Sequence, residues 1–152
     1  MTHNRPKIAL YQPDIPQNTA SIIRTCSCLG IMLEIIEPCG FIVNDQKFKR
    51  VVMDYYDAKN INFYKSPEKF FMSKINTRLI LMTTKSKKSY EEFLFRQDDT
   101  VIFGRESLGV PSGVHNKVNH RLTIPIMNKK RSLNLSSSVS IVISKILNQD
   151  NF

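Results

Sequence analysis

Val101-Ile102-Phe103-Gly104-Arg105-Glu106-Ser107-Leu108-Gly109-Val110-Pro111 is the stretch on which the fold turns. Its first three residues are an apolar run with β-branched members, the mark of a buried strand. A glycine follows at once, and glycine after a strand lets another group approach the backbone closely. A tight turn that merely redirects the chain would use the same residue. The Lys-Ser/Thr pair that completes a P-loop does not follow Gly109, and no G-x-G-x-x-G dinucleotide loop occurs. An ATPase and a Rossmann dehydrogenase are therefore set aside.

The same pattern recurs on either side of this stretch. Ile8 to Tyr11 reads as a first strand ended by Pro13, Met32 to Ile36 as a second, and Ile61 to Tyr64 as a third. Leu79 to Met82 is the fourth, Val101 to Phe103 the fifth, and Leu122-Thr123-Ile124 the sixth. Between them, Pro16 opens a helix to about Leu29, with Ile22, Ile23 and Cys26 on one face and Gly30 as its stop. A basic segment, Lys47-Phe48-Lys49-Arg50 into Val51-Val52-Met53, reads as helical, and Ser66-Pro67 caps a helix to about Lys74. The last helix carries Leu135, Val139, Val142, Ile143 and Ile146 as an apolar stripe, although its β-branched content also suits a strand.

Strands alternating with helices predict an α/β fold, a mostly parallel sheet covered on both faces. No linker or repeat interrupts the pattern, which predicts a single domain over residues 1–152. In such sheets ligands bind outside the carboxyl ends of the strands. Thr83-Thr84-Lys85, Gly104-Arg105-Glu106 and the segment from Pro125 to Ser132 all follow strands, so three loops converge on one edge as a candidate site.

Composition narrows the function. Lys plus Arg is 22 and Asp plus Glu 13, a net charge of +9, which favours a polyanionic partner and nucleic acid above all. No apolar run approaches membrane-span length and no signal-peptide pattern opens the chain, so a cytoplasmic protein without a membrane partner is expected. Cys26, Cys28 and Cys39 form no C-x-x-C pair, and His3, His115 and His120 add no ligand spacing. Free buried thiols are expected, and no metal site.

Several polar residues are out of place as mere scaffolding. Arg24 sits on an otherwise apolar helix segment, where it either pairs with a neighbouring side chain or meets a carboxylate or phosphate through its planar fork. Capping explains one of Ser132, Asn134 and Ser136 at the start of the last helix, but not all three. Basic clusters at Lys47/Lys49/Arg50, Lys85/Lys87/Lys88 and Lys129/Lys130/Arg131 are either solvated faces or contacts for a phosphate backbone. Tyr11, Tyr55 and Tyr56 are candidates for base stacking or for core and interface packing.

Pro13-Asp14-Ile15-Pro16-Gln17-Asn18-Thr19, running on to Arg24-Thr25-Cys26, resembles the first motif of the SPOUT-class RNA 2′-O-methyltransferases of the TrmH family. Phe103 to Pro111 resembles their second motif, and Ile124-Pro125-Ile126 with Arg131 to Val139 the third. The resemblance covers nearly the whole chain in order. It is similar above all to the subgroup that methylates the wobble ribose, cytidine or modified uridine 34, of tRNA, with leucine tRNAs as the expected substrates. It implies an α/β domain with a C-terminal deep trefoil knot, S-adenosylmethionine as methyl donor, no DNA partner, and a homodimer.

By position in the motifs, Met82, Gly104, Ile124 and Ser132 are implied to line the donor pocket. Arg24, Glu106, Asn134 and Ser136 are implied around the reacting ribose as catalytic residues, with Asn18, Lys49, Arg50, Lys85 and Arg131 contacting the tRNA. Arg105 departs from the subgroup, whose members usually carry proline there. Two other readings stay open: methylation of another tRNA nucleotide or of rRNA, and a non-catalytic RNA-binding protein on the same scaffold.

Overall fold

The computed structural model describes residues 4–52, 55, 59–127 and 132–149. Six strands form one sheet: β1 (Lys7–Tyr11), β2 (Leu33–Ile36), β3 (Ile61–Tyr64), β4 (Leu79–Met82), β5 (Thr100–Phe103) and β6 (His120–Leu122), in the order β3-β2-β1-β5-β4-β6. Every pairing in it is parallel. Five helices complete the chain: α1 (Pro16–Leu29), α2 (Gln46–Val52), α3 (Pro67–Ser73), α4 (Ser112–His115) and α5 (Leu135–Leu147).

Alternate side chains of a strand point to opposite faces of the sheet. Ile8, Leu10, Leu33, Ile35, Val101 and Phe103 face α1, α2 and α5, meeting Ile22, Phe48 and Val142. Ala9, Tyr11, Ile36, Leu81 and Ile102 face the other way and meet Phe70 of α3 and Val114 of α4. With both faces covered, the central strands read as continuous apolar runs rather than alternating ones; all of β4 is buried. The expected stripe on α5 is realised, with Val139, Val142, Ile143 and Ile146 fully buried, and its β-branched residues are helical throughout.

Local signals set the helix ends. Gly30 takes the left-handed conformation at φ +67°, where a side chain would be strained, and so stops α1. The Ser66 hydroxyl accepts the Lys69 N–H at 3.2 Å and starts α3. Lys74, just beyond α3, reaches Glu34 on β2 at 2.6 Å, and the Tyr64 hydroxyl donates to the same carboxylate at 2.6 Å. Glu34 is fully buried, and these two donors compensate a charge that would otherwise be costly there. Burial pulls the Lys74 ammonium below its ordinary pKa, against the opposing pull of Glu34.

Three expectations are corrected. The sixth strand lies two residues earlier than its apolar run implies, because Thr123 leaves the ladder and bridges Ser89 instead. Helix α4 carries no sequence signal strong enough to foresee, being a single turn. Cys28 is exposed while Cys26 is buried and Cys39 partly so; all three are free, and burial pushes the thiols of Cys26 and Cys39 up to about 12.

The segment around β6 is held within the loop that follows β4. Thr83 donates its N–H to the Leu122 carbonyl at 2.8 Å, and the Ser86 hydroxyl donates to the Arg121 carbonyl at 2.8 Å. Farther round the same loop, Thr123 donates to Lys88 at 2.7 Å and Tyr90 donates to Thr123 at 3.0 Å. Both arms of the loop thus grip residues 121–123.

Candidate active site

The strand order reverses direction between β1 and β5, the position at which open parallel sheets form a crevice. Gly104 leaves β5 there, and residues 105–109 close back on it through paired backbone hydrogen bonds between Arg105 and Gly109 at 3.1 and 2.9 Å. A Cβ on Gly104 would stand 2.6 Å from the Gly109 carbonyl carbon, so only glycine permits this closure. Gly109 itself sits at φ +66° with open space beside it, and its requirement is conformational rather than steric.

That closed loop is clamped to the loop after β1. One Glu106 oxygen, Oε2, accepts the N–H groups of Asp14 and Ile15 at 2.7 and 3.0 Å, beside the start of α1. In return Asp14 Oδ2 accepts the Ser107 N–H at 3.0 Å and its hydroxyl at 2.5 Å. Burial alone would raise the Asp14 pKa, but the two Ser107 bonds and the Arg105 guanidinium outweigh it and hold the carboxyl below its ordinary value. Arg105, the departure from the subgroup pattern, donates through Nε to the Gln12 carbonyl at 3.1 Å and lies 3.6 Å from Asp14. It therefore fastens the two loops where a proline would have offered no donor.

A cavity of about 800 Å³ opens between these loops, the loop after β4 and the segment that leads into α5. All four residues expected for the donor, Met82, Gly104, Ile124 and Ser132, line it. So do Asn18, Lys85, Glu106 and Asn134. The second carboxylate oxygen of Glu106, Oε1, is buried with no hydrogen-bond partner among the described residues. A negatively charged wall of this kind suits a ligand carrying positive charge.

At the cavity mouth α5 meets α1 through polar pairs. Asn134 caps α5 by accepting the Ser137 N–H at 3.1 Å, and its amide donates to Asn18 Oδ1 at 2.9 Å. The Ser136 hydroxyl donates to Ser21 at 2.8 Å. Capping thus accounts for Asn134 alone, as its sequence position suggested, and the neighbouring residues tie the two helix starts together.

The remaining candidates are dispersed. Arg24 is exposed on α1 outside the cavity lining, its guanidinium 4.8 Å from the centre of the Tyr55 ring, so its contact is with an aromatic face and not with an acidic neighbour. Ser136 also lies outside the lining, while Lys49 and Arg50 stand exposed on α2. Arg131, with Lys129, Lys130, Met53, Asp54, Tyr56 and His3, lies outside the described residues. Tyr11 is core. One lining residue escaped the sequence reading: His115, at the end of α4, whose pKa is lowered by burial and by the nearby Lys85 and Arg121 charges. The Pro111-Ser112 start of a short turn was its only local signal.

A family model described as the SpoU rRNA Methylase family matches residues 5–144. The chain is 44% identical over 144 residues to the tRNA (cytidine(34)-2′-O)-methyltransferase of Beijerinckia indica, covering 93% of this chain and 90% of that protein. The Escherichia coli K12 protein of the same name is 33% identical over 138 residues, covering 90% and 88%. A solved structure described as giving structural insights into the 2-OH methylation of C/U34 on tRNA superposes with a TM-score of 0.88 at 32% identity, covering 95% of each chain. With the parallel sheet, the clamped glycine loop and the cavity at its switch point, these likenesses make the chain a member of the SpoU methylase family.

Proposed function

We propose that this protein transfers the methyl group of S-adenosylmethionine to the ribose 2′-hydroxyl of nucleotide 34, cytidine or modified uridine, in cytoplasmic tRNA, with leucine tRNAs as the first candidates. The relatives at 44% and 33% identity bear that activity in their names. One observation of the molecule itself carries the reading: the polar Asn134–Asn18 pair stands at the mouth of a cavity that also holds an unpartnered buried carboxylate oxygen. The sulfonium of the donor supplies an electrophilic methyl group and a positive charge. Met82, Gly104, Ile124 and Ser132 are the residues that would hold the donor, and Glu106 complements its charge. Asn134 and Ser136 place the ribose, so that much of the rate comes from alignment of hydroxyl and methyl.

Arg24 orients the hydroxyl or its adjacent phosphate electrostatically; with a pKa above about 12 it is a poor base. Its exposure outside the cavity supports a site completed by the second subunit of a homodimer. Ile15, Leu108 and Leu133, exposed apolar residues on the lining, give that subunit a surface to cover. The grip of the β4 loop on residues 121–123 supports the threading of a C-terminal trefoil knot within one domain. Arg24→Lys tests the arginine's role: donor binding by calorimetry should persist while methyl transfer to tRNA stays far below wild type. Near-normal turnover would remove Arg24 from the mechanism.

A further inference from the structure

A second cavity, of about 470 Å³, lies apart from the first, at the carboxyl ends of β2 and β3. Its volume falls in the range of about 300–1,000 Å³ that small-ligand sites occupy. Glu37, directly after β2, and Lys65, directly after β3, line it, together with Phe48 and Val52 of α2, Phe63 of β3, and Asn44. The composition is uneven in a telling way. Two aromatic rings and two valines make an apolar body, and the charged groups are one carboxylate and two lysines, Lys49 and Lys65.

Glu37 is the informative residue. Its side chain is 20% exposed, yet its Oε2 atom is buried and has no hydrogen-bond partner among the described residues. The Lys65 ammonium stands 3.6 Å away, close enough to stabilise the charge but too far for a good hydrogen bond, and Lys65 is itself 74% exposed. A buried carboxylate oxygen that lacks a donor accepts readily from an incoming N–H group. Lys49 and Arg50 add positive charge on the exposed side of α2.

We propose that this cavity takes a splayed-out nucleobase of the RNA substrate, one with an exocyclic amino group, cytosine or adenine. The amino group donates to Glu37, the base contacts the aromatic rings, and Lys49 and Lys65 meet the adjoining phosphates. Each part follows from general recognition chemistry: carboxylates accept from the cytosine amino group, unstacked RNA bases pack on aromatic side chains, and phosphates pair with lysine. Both cavities open at the carboxyl edge of one sheet, so a single RNA loop lying along that edge reaches both. The inference rests on the tRNA reading above and adds a second point at which the RNA is read.

The test measures binding of a short anticodon-arm RNA hairpin by fluorescence anisotropy, with S-adenosylmethionine affinity measured in parallel. Asn44→Trp fills the cavity from an exposed position, and Glu37→Gln keeps its shape while removing the carboxylate. Both variants should bind the hairpin about tenfold more weakly with donor affinity unchanged. Hairpins in which one loop adenine at a time becomes purine riboside, or one cytosine its 4-deamino analogue, should reveal one position whose amino group matters to wild type and not to Glu37→Gln. Wild-type hairpin affinity in Asn44→Trp, or equal sensitivity to every replacement in wild type and Glu37→Gln, would overturn the second site while leaving methyl transfer intact. A wild-type protein that binds neither hairpin nor tRNA would instead overturn the underlying tRNA reading, and the inference with it.

Discussion

Gly104 and Gly109 stand five residues apart and are needed for different reasons, one because Gly109's own backbone occupies the space of a Cβ, the other because of its left-handed φ. The two substitutions should therefore separate. Gly104→Ala forces the 105–109 loop outward, at a cost of about 1–3 kcal/mol for overpacking, and should weaken S-adenosylmethionine binding at least about tenfold. Gly109→Ala should cost about 1–2 kcal/mol of stability for the left-handed conformation with a smaller loss of donor affinity. Urea denaturation and calorimetric titration of the two variants check both numbers. The sequence made both glycines conspicuous, since each flanks a short loop after an apolar run. It did not disclose the Glu106–Asp14 clamp, because the partners lie 92 positions apart and nothing local requires a carboxylate there.

At the scale of elements, the start of α5 does two jobs through one side chain. Asn134 caps the helix with its oxygen and holds Asn18 with its amide nitrogen, so substitutions can divide the roles. Asn134→Ala removes both and should lose about 1 kcal/mol of stability as well as activity. Asn134→Asp keeps the capping oxygen and loses only the donor, so it should hold near wild-type stability in denaturant while methyl transfer falls; equal stability losses in the two variants would contradict the capping role. Elements of this kind were readable in advance wherever propensity, capping and burial agreed, as in α1 with Pro16 and Gly30 or α3 with Ser66 and Pro67. Reading failed where tertiary pairing overrode the local pattern. Thr123 and Ile124 continue an apolar run, yet the hydrogen bonds of Thr123 go to Lys88 and Tyr90 and not to the β4 ladder.

On the scale of the whole molecule, strand order was the part least legible in the sequence. Nothing between Thr100 and Phe103 says that β5 lies between β1 and β4, because that adjacency is decided by pairing across long separations. Yet the convergence of strand-end loops on one edge holds for any parallel arrangement, which is why the donor-pocket residues could be named from the sequence. The +9 charge acts at this scale as well. Arg50 and Lys87 are exposed and line neither cavity, so Arg50→Gln with Lys87→Gln should weaken tRNA binding and lower the slope of log affinity against log salt by about 1. Donor affinity should stay constant in the same preparation. An unchanged slope would assign these cations to the solvated surface.

The most direct test of the account is transfer of a labelled methyl group from S-adenosylmethionine to total tRNA, followed by nuclease digestion and mass mapping of the labelled nucleotide. The account predicts a 2′-O-methyl group on the ribose of nucleotide 34. Label at another ribose, or no transfer to tRNA by a protein that binds the donor, would contradict it.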